Sequence, residues 1–357
     1  MQKFGGASGP LLRTVAILTL MAATGPVSAQ EELNALVWCD HTDSALIQPF
    51  EEKHNVSVNL QEYEGTGTAL SLIEQSQPGD WDVLVIDGID VFRAIDAGIL
   101  GPLPKDQLPL DDIFPEVRME DMQSRGGELY AVTEKFGYNT VAFNNEKVDP
   151  ADMNDMTTLF GDEYKGRIAV YDYYLPVMGM VAMGLGLKTA ELTADDLPAI
   201  RDALFKLKDN ALSVGEIVSS QTALATGEVD ILVGGGEFVT AGLAAENPAL
   251  DWVLPEQGGV RWSQSIGIFA NSERKELAIE FVKYILSPEG QARLATSSCY
   301  WAMPANERAG EHLTAERKAA LRWDDQPTYL QNAQLYPAPD AELDAAMLDV
   351  WTEFLQH

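Results

Sequence analysis

Basic residues are scarce in this chain: 24 Lys and Arg stand against 55 Asp and Glu, a formal charge of −31. A surface of that sign repels nucleic acid and anionic lipid headgroups and attracts cations. Both classes of polyanionic partner are therefore excluded. Histidine is sparse too, with His41, His54, His312 and His357 scattered along the chain. Cysteine is limited to Cys39 and Cys299, so no C-x₂-C pair exists to build a zinc site. Neither a G-x-S-x-G elbow nor an H-E-x-x-H helix is present. Nothing in the pattern marks an enzyme, and no cofactor is expected.

Long apolar runs are also missing beyond the N-terminus. Residues 1–29 combine a positive start (Lys3, Arg13), an apolar stretch from Val15 to Ala23 and the small-residue exit Val27-Ser28-Ala29. That is the anatomy of a secretory signal cleaved near Ala29. The run falls far short of the roughly 20 residues needed to span a bilayer. No Cys stands at the cleavage point to carry a lipid, so a periplasmic protein is expected. In that oxidising compartment the two cysteines are either a disulfide or two buried thiols; a separation of 260 residues carries no geometric information.

Past residue 29 the chain is long enough for two compact domains of roughly 100–200 residues each. Short β-rich runs alternate with helical patterns, which predicts α/β architecture with largely parallel sheets. Leu36-Val37-Trp38 and Val56–Leu60 read as strands, with helices over 44–53 and 68–76. The segment Asp82-Val83-Leu84-Val85-Ile86 is continuously apolar, as a strand covered on both faces must be. Arg167–Val170 and Asp230–Val233 repeat the pattern farther on, and Leu277, Phe281 and Ile285 put one apolar face on a helix over 276–286. With no long Pro/Ser linker, the lobes are expected to be joined by strands themselves. Phe136–Phe143 and Trp262–Ala270 are the segments predicted to cross, beneath a cleft where a ligand binds.

Four stretches now carry a resemblance. Val37-Trp38-Cys39-Asp40-His41 resembles a strand-one loop in which Trp is followed by an acid and an aromatic. Gly79-Asp80-Trp81-Asp82-Val83-Leu84-Val85 resembles a "YDLVV" strand. Glu163-Tyr164-Lys165-Gly166-Arg167-Ile168 resembles an "EYKG" turn, and Leu254-Pro255-Glu256-Gln257-Gly258-Gly259-Val260-Arg261-Trp262 a "P-x-E-G-G-x-x-W" segment. Their order and spacing across residues 33–355 resemble the spermidine/putrescine-binding family, type II periplasmic solute-binding proteins of ABC importers.

The resemblance implies a two-lobed fold, each lobe a mostly parallel sheet flanked by helices with the ligand cleft between. Lobe 1 would be 30–137 and 263–308, and lobe 2 138–262 and 309–357. It implies a monomer that captures a small cationic organic solute for an inner-membrane ABC permease. Trp38, Asp40, His41, Asp87, Trp262 and Trp301 fall at ligand-contact positions. It also implies that the loops of Cys39 and Cys299 line one cleft, close enough for a disulfide.

Departures from the family pattern bear on the ligand. Two acids expected after a lobe-2 strand become Tyr173 and Pro176, unless a one-residue shift restores Asp172. Gln264 stands where an acid is expected after Trp262, and Val233-Gly234-Gly235-Gly236 replaces an aromatic, most simply as a tight turn. Fewer acids imply fewer ammonium groups, because an unpaired buried charge is costly. A singly charged amine or a quaternary ammonium held on aromatic faces is then as well matched as spermidine. Two other readings stay open. Tyr173-Tyr174 with His41 could hold ferric iron through hard oxygen ligands, and Asp40 with Asp172 could act as the acid–base pair of a periplasmic hydrolase.

Overall fold

The computed structural model describes residues 31–357; the segment read as a secretory signal lies outside them. In chain order the elements that position the site begin with β1 (Glu31–Val37), α1 (Ser44–His54), β2 (Val56–Glu62), α2 (Thr66–Gln75) and β3 (Val83–Asp87). The long strand β4 (Ala131–Asn144) follows, then β5 (Ile168–Tyr171), α3 (Tyr174–Gly184), α4 (Leu197–Asn210), β6 (Ala211–Gly215) and α5 (Ile217–Thr226). The remainder comprises β7 (Ile231–Gly235), β8 (Leu250–Val253), β9 (Val260–Phe269), α6 (Lys275–Leu286) and α7 (Ala341–Gln356).

Local chemistry sets several of these boundaries. The Asp43 carboxylate accepts from the Ala45 backbone N–H at 2.8 Å and starts α1. Asn55, in the left-handed region at φ 53°, stops it and turns the chain into β2. Helix α6 buries Ala278, Phe281, Val282, Ile285 and Leu286 and leaves Lys275 and Glu276 outward. Burying each large side chain of that stripe contributes about 1.5–3 kcal/mol.

Strand β1 pairs in parallel with β2 and β3. Strand β9 lies antiparallel between β3 and β4, with Gln264 opposite Asp87 and Trp262 opposite Gly137. This is the sheet of the first lobe. Beyond Asn139 the same strand β4 enters a second sheet, where it is antiparallel to β7 and β8. There β5 is parallel to both β7 and β6. Among the strands named above, each lobe is thus mostly parallel with one reversed strand, β9 in the first sheet and β4 in the second, and these are the strands that carry the chain across. All 14 residues of β4 are buried.

The lobes have separate cores. Phe50, Phe136, Phe281 and Met303 belong to the first, whereas Met156, Val177, Leu204 and Phe354 belong to the second. Helix α7 inserts Met347, Val350, Trp351 and Phe354 into the second core. The segment before it does not follow: Leu313, Leu321 and Leu330 pack into the first cluster beside Tyr138 and Trp252. Among the described residues no helix is long and apolar enough to cross a membrane.

Candidate functional site

A strand that passes between two sheets is buried along its whole length, so any charge on it needs a partner. Glu134 and Lys135 lie on β4 with no exposed surface, and their partners come from the turn after β1. Asp40 and His41 occupy that turn, which is tied to the loop before Trp301 by a disulfide between Cys39 and Cys299, Cα atoms 6.0 Å apart. The His41 ring donates from Nδ1 to Asp40 Oδ1 at 3.1 Å and from Nε2 to the Glu134 carboxylate at 3.1 Å. Lys135 Nζ is ion-paired with Asp40 Oδ2 and lies 3.9 Å from Glu134 Oε1. Burial works against the Asp40 carboxylate, yet Lys135 and then His41 hold it well below the usual range. Burial likewise disfavours the His41 imidazolium, but Glu134 and Asp40 prevail and lift it to about 8. The four side chains form a compensated quartet.

Next to this quartet lies a carboxylate without compensation. The Tyr300 ring lies 5.1 Å from Lys135 Nζ, and its hydroxyl donates to Gln264 Oε1 at 3.4 Å. Gln264 faces Asp87 across β9 and β3. Asp87 makes no ion pair among the described residues. Burial, then the neighbouring Asp90, push it up to about 7 against the pull of Gln264 and Lys135. Its charge contributes to raising five tyrosines, after burial in each case: Tyr63, Tyr171, Tyr173, Tyr300 and Tyr336. Tyr63 and Tyr300 belong to the first lobe and Tyr171 and Tyr173 to the second, so Asp87 lies where the lobes face each other. Ring centroids 5.8 Å apart join Tyr171 to Tyr173, and 5.9 Å join Tyr173 to Tyr336. Trp38 stands 5.6 Å from Tyr63, and its indole Nε1 and the Thr66 hydroxyl are buried without a hydrogen-bond partner.

A second uncompensated carboxylate comes from the other lobe. Gly234, at φ 89°, marks the register shift near the end of β7, and the glycine run leads into Glu237. Glu237 has no exposed surface; burial pushes it up to about 8, although both its oxygens accept from the Tyr138 backbone N–H at 3.2 Å. It forms no ion pair among the described residues. A Cβ at position 137 would collide with both the Glu237 carboxylate and the Trp262 indole. Gly137 therefore lets these two groups meet above the crossover strand. Phe238 and Tyr300 flank Trp262 edge-on at 6.0 and 6.4 Å.

Most of the residues expected from sequence converge here, in different surroundings. Asp87, Tyr173, Trp262 and Gln264 face the interlobe region, with Trp38 beside Tyr63. Asp40 and His41 are locked into the quartet. Trp301 lies against lobe 2, where a Cβ at Gly242 would sit 3.3 Å from its ring. Asp172 stands apart: it is exposed, and its carboxylate accepts from the Trp351 indole at 3.0 Å. Tyr63, Glu134, Lys135, Glu237, Tyr300 and Tyr336 were not anticipated. The visible signal was Glu134-Lys135, two adjacent charges immediately before the segment Phe136–Phe143 predicted to cross between lobes.

The iron and hydrolase readings lose their chemistry. Both His41 nitrogens are engaged by carboxylates, leaving no lone pair for a metal. The Tyr173 and Tyr174 rings pack edge-on at 6.3 Å, and the Tyr174 hydroxyl is taken up by donation to Asp344 at 2.6 Å. Among the described residues no His, Cys, Asp and Glu group of three or more is placed to hold a metal ion. Asp40 is neutralised by Lys135 and Asp172 is bonded to Trp351, so they form no acid–base pair.

Comparison with known proteins fits the two-lobed fold. The spermidine/putrescine-binding periplasmic protein of Escherichia coli is 23% identical over 266 residues, 74% of this chain and 75% of that protein. The putrescine/cadaverine-binding protein of Pseudomonas aeruginosa is 24% identical over 298 residues, 78% and 81% of the two chains. In structure, the spermidine/putrescine ABC transporter substrate-binding protein of Streptococcus pneumoniae superposes with a TM-score of 0.79 at 20% identity. It covers 92% of this chain and 99% of its own. With residues 45–322 matching the family model for bacterial extracellular solute-binding proteins, the chain belongs to that family.

Proposed function

We propose that this protein captures a small organic amine carrying two ammonium groups between its lobes and presents it to an inner-membrane ABC permease. One observation carries the reading: Asp87, half-buried, and Glu237, fully buried, are carboxylates supplied by opposite lobes and, among the described residues, without an ion-pair partner, amid tyrosine and tryptophan faces. Leaving such a group unpaired costs several kcal/mol. A ligand ammonium at each removes that penalty, and rings such as Trp262 and Tyr173 receive the methylene chain and the cation. Glu237 supplies a second acid at a position outside those where the family's acids are missing, which favours a diamine over a single quaternary cation. The names of the relatives, which bind putrescine, cadaverine or spermidine, support the same class.

The proposed ligand-facing set is Trp38, Asp87, Tyr173, Glu237, Trp262 and Gln264, with Trp301 at the margin. In this reading the lobes divide as 30–137 with 263–308 and 138–262 with 309–357, and the segment containing Leu313, Leu321 and Leu330 straddles them. The protein acts as an exported monomer, its signal removed near Ala29, and captures its solute without chemical change. Thermal unfolding with putrescine, cadaverine, betaine, amino acids and metal salts tests the assignment. At 100 times its Kd a ligand adds about 2.7 kcal/mol of stability. Diamines should raise the melting temperature of the wild type and lose that effect in Asp87→Asn and Glu237→Gln. A diamine response unchanged in both variants would sink the reading.

A further inference from the structure

The ion pair between Lys135 and Asp40 lies one ring away from the proposed ligand. Lys135 Nζ is surrounded by the Asp40 carboxylate, Glu134 Oε1 at 3.9 Å and the Tyr300 ring at 5.1 Å. Two carboxylates and an aromatic face are what a free alkylammonium would seek. The surroundings are continuous with the interlobe site, since the same Tyr300 donates to Gln264 and Gln264 is the direct cross-strand partner of Asp87. Lys135 has no exposed surface, and apart from Glu134 its near neighbours on β4, Thr133, Phe136 and Gly137, are uncharged.

We propose that Lys135 is a built-in ammonium occupying a third cation slot beside the cleft, so that the site accepts a diamine and rejects a triamine. His41 fills the remaining valence of the slot by bonding both Asp40 and Glu134. Two cations already match two carboxylates. The third ammonium of a longer polyamine would arrive without a counter-charge and against the positive charge of Lys135, in surroundings where an unpaired charge is least tolerated. Removing the lysine side chain beyond Cβ frees Asp40 and the Tyr300 face together, and a ligand ammonium can then take the vacated place.

This inference rests on the amine reading, and the test separates the two. The full chain, stripped of bound solute, is titrated calorimetrically with putrescine and with spermidine, as wild type and as Lys135→Ala. The wild type should bind putrescine at least tenfold tighter than spermidine, and Lys135→Ala should reverse that order. If the variant does not fold alone, it is refolded with each amine. Recovery with spermidine but not putrescine supports the slot; recovery with neither, or with both equally, overturns it. A folded variant that keeps the wild-type preference overturns it, as does a wild type that binds spermidine as tightly as putrescine. A wild type that binds neither amine removes the underlying reading, and this inference with it.

Discussion

If ammonium groups bind to Asp87 and Glu237, capture must release protons, and the amount follows from the structure. In the free protein the two carboxyls are pushed up to about 7 and about 8. Near pH 7 Asp87 is then about half protonated and Glu237 about nine-tenths protonated. An ammonium favours the ionised form of each. Binding should therefore expel roughly 1.4 protons near pH 7. The ligand stays charged throughout, since alkylamines titrate near 10.4. Affinity should accordingly fall about twentyfold from pH 9 to pH 7, and about a thousandfold from pH 9 to pH 6, some 4 kcal/mol in all.

The sign for the free protein is opposite. A carboxyl whose folded value is raised binds more protons folded than unfolded, so stability falls as pH rises from the ordinary carboxylate range toward 7 for Asp87 and 8 for Glu237. The ligand is tightest where the empty protein is least stable. Calorimetric titration with putrescine in buffers of equal pH and different ionisation enthalpy reads the proton count directly. A count near zero at pH 7, together with an affinity flat from pH 6 to 9, would refute the pairing of ammonium groups with these carboxylates.

Replacing Trp262 by Ala should weaken amine binding by at least about 1 kcal/mol without changing the circular dichroism spectrum if the indole, packed against Gly137, is ligand surface as proposed; unchanged affinity would remove Trp262 from the site. His41, lifted from 6.5 to about 8 by Glu134 and Asp40, contributes stability that is complete below its unfolded value and disappears as pH rises through its folded one. Wild type should thus lose about 2 kcal/mol more than His41→Gln between pH 6 and 9 in urea titrations. Thiol labelling of the denatured, unreduced protein should find no free thiol, since Cys39 is bonded to Cys299. Reduction should lower stability by about 4 kcal/mol or more, as closing a loop that long constrains the unfolded chain. Solution scattering should show a smaller radius of gyration with a diamine bound, the lobes closing about β4 and β9; identical curves would mean a rigid site.

The fold was legible because its signals are local and periodic. The unbroken apolar run ending at Ile86 became β3, the four-residue spacing of Leu277, Phe281 and Ile285 became α6, and the extended segments around Phe136 and Trp262 became the strands between lobes. The C-terminal region was less legible. Helix α7 joins the second core, yet Leu313, Leu321 and Leu330 pack with the first. Their leucines are equally apolar in either setting, so no residue-level property distinguishes the destinations.

The site was legible where one residue type does one job and obscure where pairing decides the job. Asp87 was a candidate because it ends a buried strand and matches a contact position of the family resembled, and the structure sets it between the lobes without an ion-pair partner among the described residues. Asp40 looks the same in sequence, an acid after a buried strand, but Lys135 from 95 positions away neutralises it. The chemistry of an acid in a cleft depends on whether a cation reaches it. That is a fact of tertiary structure for which spacing carries no signal. Glu237 was hidden for the complementary reason. The three glycines before it suggest only a turn, whereas the turn's consequence is to carry a carboxylate to the bare face that Gly137 leaves on β4. Charges on a strand buried at every position are the exception that could have been read. Folding alone does not favour Glu134 and Lys135 there, so their presence already called for partners, and the partners are Asp40 and His41.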